Sequence, residues 1–160
     1  MRICRVKSAD ITEIRRLLIK TWRDTYRLPP DKIRRSNGRG DLLLQAEDPK
    51  TVFLCARDKI RITGVITLVR QTADKVLLGR LYVLPSCQRR GIGTKLFQAG
   101  LKKIPGVKKI ILNAAPENYQ GINFYLKKGF KIKGLRWQKC GCFDYRVYLM
   151  EKLLEGPPMI

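Results

Sequence analysis

One glycine-bearing stretch, CQRRGIGTKL at residues 87–96, constrains the fold more than any other feature of the chain. It follows an apolar run, VLLGRLYVLP, and places Gly91 and Gly93 among the cations Arg89, Arg90 and Lys95. Glycine keeps Cβ atoms away from a turn where the backbone must approach a ligand. A strand that leads through such a loop into a helix presents unpaired N–H groups at the positive end of the helix dipole. The stretch therefore predicts a strand, a loop and a helix that together bind an anion such as a pyrophosphate.

Runs rich in β-branched residues predict the strands of a sheet. Three of them follow one another closely, which indicates an antiparallel meander. The predicted strands are residues 2–6, 51–57, 62–70 and 75–84 and the later segments VKKIILNAA, FKIKGLRW and FDYRVYLM. With the intervening helices they predict an α/β fold in which a sheet of about seven strands has helices on both faces.

Helical periodicity marks four further segments. The first, SADITEIRRLLIKTW, opens with Asp10 and Glu13 at capping-box spacing, and its apolar residues repeat from Ile11 to Trp22. The second, DKIRRSNGRGDLLLQ, is weaker and is interrupted by two glycines. A third begins in the glycine loop, and a fourth, NYQGINFYLKKG, is expected to end at Gly129 as its C-cap.

The charge of the chain restricts its partners. There are 34 basic and 13 acidic side chains, which gives a formal net charge of +21, and the excess is shared by both halves of the chain rather than held in a tail. Such a field attracts phosphates and acidic surfaces. Two interpretations stay open: a solvated, mostly positive surface, or a surface for an acidic protein or a nucleic-acid-associated partner.

Length and segment composition predict one domain, residues 1–152, followed by a disordered tail at 153–160. No apolar stretch approaches the roughly 20 residues of a membrane span, so no membrane partner is expected. The first residues, MRICRVKSAD, lack the apolar core of a secretory signal, which predicts a cytoplasmic protein. We expect a monomer or a homodimer.

Metal and histidine chemistry are not expected. The chain has no histidine, and its five cysteines include only one close pair, Cys140 and Cys142, in a C-x-C spacing. Neither a disulfide framework nor a zinc site fits that pattern. Any general acid or base must therefore be another residue type.

Two motifs resemble one known family. VLPSCQRRGIGTKL resembles the Q/R-x-x-G-x-G/A acetyl-coenzyme A signature of the GCN5-related N-acetyltransferase (GNAT) superfamily, and NAAPENYQGINFYLKKGF resembles a later segment of that family, with Asn118, Tyr125, Gly129 and Phe130 at the matching positions. The resemblance covers residues 76–131. It implies a GNAT fold, a mixed central sheet of about seven strands flanked by four helices, with acetyl-CoA as cosubstrate and no metal.

The resemblance also implies roles for individual residues. The strand before the loop, represented by Leu81, Tyr82 and Val83, is expected to diverge from the next strand and bind the pantetheine arm through its backbone. Asn118 is expected to bind the same arm, and Tyr125 to protonate the departing thiolate as the catalytic acid. The residues expected at the pyrophosphate are those of the loop and the first helical turn: Gln88, Arg89, Arg90, Gly91, Ile92, Gly93 and Thr94.

The sequence departs from the family at one point. Many members carry a glutamate on the strand before the loop, whereas KVLLGRLYV has no carboxylate there. The resemblance therefore identifies no dedicated base, and the carboxylates left as candidates are Asp24, Asp31, Asp74 and Asp144.

Three functions follow for comparison. The first is an N-acetyltransferase that moves an acetyl group from acetyl-CoA to a primary amine, such as a protein N-terminus, a lysine or a small amine. The alternatives are a basic nucleic-acid-binding module without enzymatic activity, and a GNAT-fold protein that binds coenzyme A without transfer.

Overall fold

A computed structural model describes residues 1–140 and 143–155 of the chain. The described strands form one seven-stranded sheet in the order β1-β2-β3-β4-β5-β7-β6. They are β1 (Arg2–Arg5), β2 (Thr51–Arg57), β3 (Ile62–Arg70), β4 (Lys75–Val83), β5 (Lys109–Ala114), β6 (Lys131–Cys140) and β7 (Phe143–Leu153). The prediction of a disordered tail falls mainly on residues 156–160, which lie outside the described part of the chain, as does Cys142.

The helices agree with the predicted order. They are α1 (Ile11–Tyr26), α2 (Pro30–Ser36), α3 (Arg39–Glu47), α4 (Ile92–Leu101) and α5 (Tyr119–Lys127), with short 3-10 turns at Ser8–Asp10 and Pro85–Cys87. The weak second helical segment, which the sequence showed interrupted by glycines, is present as the two short helices α2 and α3. Gly38 is the extended residue between them.

The capping box predicted for α1 is wrong. The Asp10 side chain makes no cap bond to α1; it accepts a hydrogen bond from the Lys7 N–H at 2.9 Å and one from the Arg57 guanidinium at 2.6 Å. Glu13 Oε1 accepts from the Ile62 N–H at 2.6 Å. Asp10 therefore closes the 3-10 turn at Ser8–Asp10 and ties it to β2, and Glu13 ties the start of α1 to β3, because these donors lie within reach.

The sheet is mixed, and its antiparallel part is the predicted meander β2-β3-β4 with β1 added at the edge. β4 and β5 run parallel but pair at only three positions, from Lys75 with Lys109 to Leu77 with Ile111. Beyond these pairs the two strands separate. β5 then continues into an antiparallel pairing with β7, and β6 forms the far edge.

Side chains near the end of β4 show which helix lies on which face. The Tyr82 ring lies 6.2 Å from the Trp22 ring of α1, whereas a Cβ on Gly93 of α4 would lie 3.9 Å from a Val83 methyl. Adjacent strand residues point to opposite faces, so α1 and α4 lie on opposite faces of the sheet. α5 shares the α4 face, since the rings of Phe97 and Phe124 are 6.5 Å apart.

Burial follows this arrangement. Ile11, Ile14 and Leu18 of α1 are fully buried, which confirms the predicted apolar face, and the three strands of the meander supply much of the remaining core. Among the described residues, no helix is both long and apolar enough to cross a membrane.

Candidate active site

A cleft of about 630 Å³ opens where β4 separates from β5. Four parts of the chain line it: the last turns of α1, the end of β4, the loop that leads into α4, and the polar side of α5. The separation of the strands exposes backbone groups that a continuous sheet would have paired. A cleft of this origin therefore combines an open strand edge with a helix N-terminus.

The end of β4 presents its backbone to this cleft, as the resemblance implied for Leu81, Tyr82 and Val83. The Leu84 N–H donates to the Thr63 carbonyl of the neighbouring chain segment at 2.8 Å. The direction of the backbone N–H and C=O groups alternates along a strand. The backbone groups of Tyr82 therefore also point toward β3, and those of Leu81 and Val83 point toward the cleft. Gln88 Nε2 donates to the Val83 carbonyl at 3.0 Å, which fixes the loop against the strand.

The loop after β4 forms a tight turn that leads into α4. Gly91 has φ +77° and Arg89 has φ +61°, so two left-handed residues turn the chain into α4. The first α4 hydrogen bond runs from the Lys95 N–H to the Gly91 carbonyl at 3.0 Å. The N–H groups of the preceding residues, through Ile92, Gly93 and Thr94, therefore stand at the positive end of the helix without an intrahelical acceptor.

The cations of this loop are placed differently from one another. Arg89 lines the cleft and is exposed, which suits a contact to a phosphate. Arg90 is also exposed but lies outside the cleft lining. Lys127, which sequence reasoning missed, lines the cleft from α5 on the opposite wall.

Asn118 is the N-cap of α5. Its Oδ1 accepts a hydrogen bond from the Gly121 N–H at 3.0 Å, and its Nδ2 lies 3.5 Å from the Tyr26 hydroxyl as a donor. A Cβ on Gly121 would lie 2.4 Å from Asn118 Nδ2, so glycine is needed for the amide to fold over the helix end. Asn118 thus lines the cleft while its side chain links α5 to α1.

Tyr125 lies on the cleft wall with only 8% of its surface exposed. Its ring packs against Phe124 and Phe130, with centroids 5.5 and 5.4 Å away. Burial raises the pKa of the Tyr125 hydroxyl above its ordinary value, and nearby Tyr82 raises it further. Tyr125 is therefore a protonated donor at neutral pH.

Sequence reasoning predicted no role for the hydroxyl side chains of α1. The hydroxyl of Tyr26, the last residue of α1, lies 3.3 Å from the Tyr82 hydroxyl. Burial raises the pKa of Tyr26 well above its usual value, and the neighbouring Tyr82 raises it further. Thr21 and Thr25 also line the cleft. The sequence did contain a signal for these two threonines. They follow Leu18 at successive spacings of three and four residues, so they lie on the buried face of α1 although their side chains are polar.

No carboxylate among the described residues lines the cleft. The four weak base candidates lie on the surface: Asp24 lies 3.8 Å from the Arg23 guanidinium, Asp74 Oδ1 accepts from the Thr72 hydroxyl at 2.7 Å, and Asp31 and Asp144 are exposed. The hydrogen bond from Thr72 lowers the pKa of Asp74.

The cysteines with described side chains are free thiols. Cys4 and Cys55 face each other across β1 and β2 with sulfurs 3.7 Å apart, and burial raises the pKa of Cys55 to about 12. Cys87 lines the cleft and lies 3.5 Å from the Arg61 guanidinium. Within residues 1–140 and 143–155, no group of three or more His, Cys, Asp or Glu side chains could hold a metal ion.

Known proteins resemble this chain both in sequence and in fold. Residues 48–132 match the family model described as an acetyltransferase (GNAT) domain. An uncharacterised N-acetyltransferase of Mycobacterium tuberculosis is 32% identical over 109 residues, which are 67% of this chain and 70% of that protein.

Solved structures extend the likeness over the whole fold. The PaiA N-acetyltransferase of Thermoplasma acidophilum, crystallised with coenzyme A, superposes with a TM-score of 0.83 at 23% identity over 96% of this chain and 98% of its own. An aminoglycoside 6'-N-acetyltransferase complexed with coenzyme A gives a TM-score of 0.75 at 19% identity, over 99% of this chain and 100% of that one.

Proposed function

Because the chain belongs to the GNAT superfamily of N-acetyltransferases, we propose that it transfers the acetyl group of acetyl-CoA to a primary amine on an acidic or neutral carrier. The observation that carries this proposal is the separation of β4 from β5 directly above the N-terminus of α4. That arrangement offers a strand edge for an amide-bearing arm and a positive helix end for the phosphates that follow it. The two lie in the order in which they occur in coenzyme A.

The β4 edge and the loop hold the cosubstrate. The outward-facing backbone of Leu81 and Val83 pairs with the pantetheine amides as a neighbouring strand would. The free N–H groups at the start of α4 receive the pyrophosphate, with Arg89 and Lys127 on opposite walls. Asn118 borders the arm between them.

The transfer step needs an acid for the leaving group. The nitrogen lone pair attacks the thioester carbon, the carbonyl π electrons move to oxygen, and backbone N–H groups of the β4 edge near Val83 stabilise the oxyanion. The carbon–sulfur bond then breaks, and the Tyr125 hydroxyl donates its proton to the thiolate. The amine loses one proton to solvent, and the Tyr125 phenolate regains one, so the products are an amide and coenzyme A thiol.

The acceptor approaches from the α1 face. There Thr21, Thr25 and Tyr82 line the cleft. The Trp22 ring and the Tyr26 hydroxyl support Tyr82, at 6.2 Å from its ring and 3.3 Å from its hydroxyl. The walls are aromatic and hydroxylic rather than acidic. With a net charge of +21 and no carboxylate among the described lining residues, the protein disfavours a free polycation as acceptor.

The direct test is thiol release from acetyl-CoA in the presence of a panel of primary amines. The panel contains free polyamines, amino acids, and peptides with acidic, neutral or basic residues after a free N-terminus. We expect turnover with acidic or neutral carriers and little with polyamines. A preference for polyamines would overturn the acceptor assignment while leaving the transfer reaction in place.

The absence of a carboxylate in the described lining favours one second candidate, a protein that binds coenzyme A without transferring its acetyl group. Binding of acetyl-CoA with no thiol release for any amine of the panel would support it.

The pH profile of turnover tests how the acceptor becomes neutral. Without a base in the described lining, the rate is expected to rise with pH until the acceptor amine itself is deprotonated. A plateau with a pKa far below that of the free amine would reveal a base, and Asp144→Asn and Asp24→Asn would be the first variants to measure.

A further inference from the structure

The two edges of the sheet differ in length and exposure. At one edge, β1 has four residues, Arg2–Arg5, and both ends are charged. At the other edge, β6 has ten residues, Lys131–Cys140, and β7 is its one neighbour among the described strands. Natural sheets usually shorten or cover their edges, because an open edge accepts another strand. The β1 edge follows that rule, and the β6 edge does not.

The middle of β6 exposes large apolar side chains. Trp137 is 70% exposed and Leu135 is 43% exposed, and both lie in the regular stretch after the bulge between Ile132 and Gly134. Leu135 and Trp137 are two residues apart, so they point to the same face of the hairpin. Aromatic side chains in such positions dominate the binding energy of many protein interfaces.

Cations surround this apolar pair. Lys139 lies on the same face of β6, and Arg146 is the cross-strand neighbour of Trp137 on β7. Lys131 and Lys133 are exposed along the same strand, whereas Arg136 points to the opposite face and donates to Asn113 Oδ1 at 3.0 Å. Two carboxylates with described positions lie opposite β6: Asp144, paired across from Lys139, and Glu151, which already contacts Lys109 and Lys133 at 3.7 and 3.6 Å.

We propose that the outer edge of β6 binds an acidic polypeptide segment, which adds to the sheet as an extra strand. The backbone of β6 supplies the hydrogen bonds, Leu135 and Trp137 receive alternate apolar side chains, and Lys139 and Arg146 pair with carboxylates. This surface is separate from the coenzyme cleft, and its occupancy does not depend on acetyl transfer.

The charge of β6 favours an acidic peptide over a second copy of the chain as the occupant of this edge. Two β6 edges brought together would place lysines and arginines against one another on molecules that each carry +21. Cations on an edge strand thus prevent self-pairing, and the same cations attract an acidic strand.

The open backbone of β6 favours a polypeptide over a nucleic acid as the occupant. A single-stranded nucleic acid stacks its bases on aromatic rings and pairs its phosphates with cations, and it makes no use of an open strand edge. On β6 the exposed apolar side chains repeat at the two-residue period of a strand and flank an unpaired backbone. A polypeptide in extended conformation matches both features.

Fluorescence anisotropy with a labelled peptide tests the proposal. The probe alternates valine and glutamate, has a blocked N-terminus and no lysine, and therefore cannot serve as an acceptor. Analogues replace glutamate by glutamine or lysine, and one analogue carries N-methyl groups on alternate backbone amides. A labelled oligothymidylate of similar length is measured alongside them.

We expect the glutamate peptide to bind and the lysine analogue not to bind. Trp137→Ala and Arg146→Glu should each weaken binding by roughly 10-fold or more, as removal of an interface anchor does. N-methylation should weaken binding to a similar degree. Leu44→Ala, which truncates a side chain 68% exposed on α3, is the matched control and should leave binding unchanged.

Other results would overturn the proposal. Peptide binding that ignores both Trp137→Ala and N-methylation would place the peptide elsewhere. Oligothymidylate binding that Trp137→Ala abolishes, without peptide binding, would make β6 a nucleic-acid surface, and a dimer that Trp137→Ala dissociates would make it a self-interface. A normal rise in melting temperature with acetyl-CoA shows that each variant is folded, and thiol release tests the transferase separately.

Discussion

The two halves of the active-site cleft are built in different ways. The proposed coenzyme half comes mainly from consecutive residues, since β4, the loop and α4 span only residues 75–101 and their geometry depends on Gly91 at φ +77°. Asn118 and Lys127, at the start and end of α5, complete it. The acceptor half joins Tyr26, near the N-terminus, to Tyr82 and to groups on α5. One half is therefore fixed by local backbone conformation and the other by tertiary packing. The halves should respond separately to substitution, and the following variants test this.

The largest effect is expected from Gly91→Glu. The substitution places a side chain and a negative charge at the helix end proposed to receive the pyrophosphate. Acetyl-CoA at 100 times its dissociation constant should stabilise the wild-type protein by about 2.7 kcal/mol, and the variant should lose that gain. The measurement is the melting temperature with and without acetyl-CoA.

Gly106→Glu is the matched control for that variant. Gly106 also has a left-handed φ, +78°, and open space around its Cβ position, but it lies in the loop after α4 and outside the cleft. Both variants suffer the same backbone strain, about 1–2 kcal/mol. Equal coenzyme responses in the two variants would show that the anion is bound elsewhere.

Tyr125→Phe should have the next largest effect, and on rate alone. Removal of the hydroxyl leaves the packing against Phe124 and Phe130, so fold and coenzyme affinity should persist while the maximal rate falls roughly 10²-fold. The check is steady-state thiol release, with Tyr119→Phe, 75% exposed on the same helix, as control. Wild-type turnover in Tyr125→Phe would reduce Tyr125 to a packing residue.

Tyr26→Phe should affect the acceptor half. The variant loses the hydrogen bond to Tyr82 and the contact with Asn118, at a cost of roughly 1 kcal/mol, or about 5-fold. We expect this cost in the KM for the amine, with the KM for acetyl-CoA nearly unchanged. If only the coenzyme KM rises, Tyr26 belongs to the other half and the division proposed above is wrong.

Gly121→Ala should give the smallest effect, at the junction of the halves. The added methyl group would meet the Asn118 amide, which is the end of a flexible side chain and can turn away. The helix itself gains propensity from alanine, so stability should change little. We expect a rise of a few-fold in the KM for acetyl-CoA, and an unchanged KM would mean that the position of Asn118 does not affect coenzyme binding.

The same division explains what the sequence could predict. The order of strands along the chain, the meander, the loop and the start of α4 were predicted because β-branched runs and glycines beside a helical period leave local signatures. The order β5-β7-β6 within the sheet was not predicted. The Asp10–Glu13 capping box was wrong because Arg57 and the Ile62 N–H, distant in sequence, compete for those carboxylates. Tyr26 was missed for a related reason: its partner Tyr82 is 56 residues away.

The short parallel contact between β4 and β5 makes the sheet a pair of smaller sheets joined by a narrow seam. Three residue pairs between β4 and β5 connect the β1–β4 side to the β5–β7 side. Coenzyme A bound between the separated ends of β4 and β5 would contact both sides and hold them together. Amides on either side of the seam should then exchange with deuterium more slowly when coenzyme is bound, including those of β7, which no coenzyme atom need touch. Each turnover would then tighten the sheet when coenzyme binds and relax it when coenzyme leaves, so that product release involves a conformational change of the whole sheet.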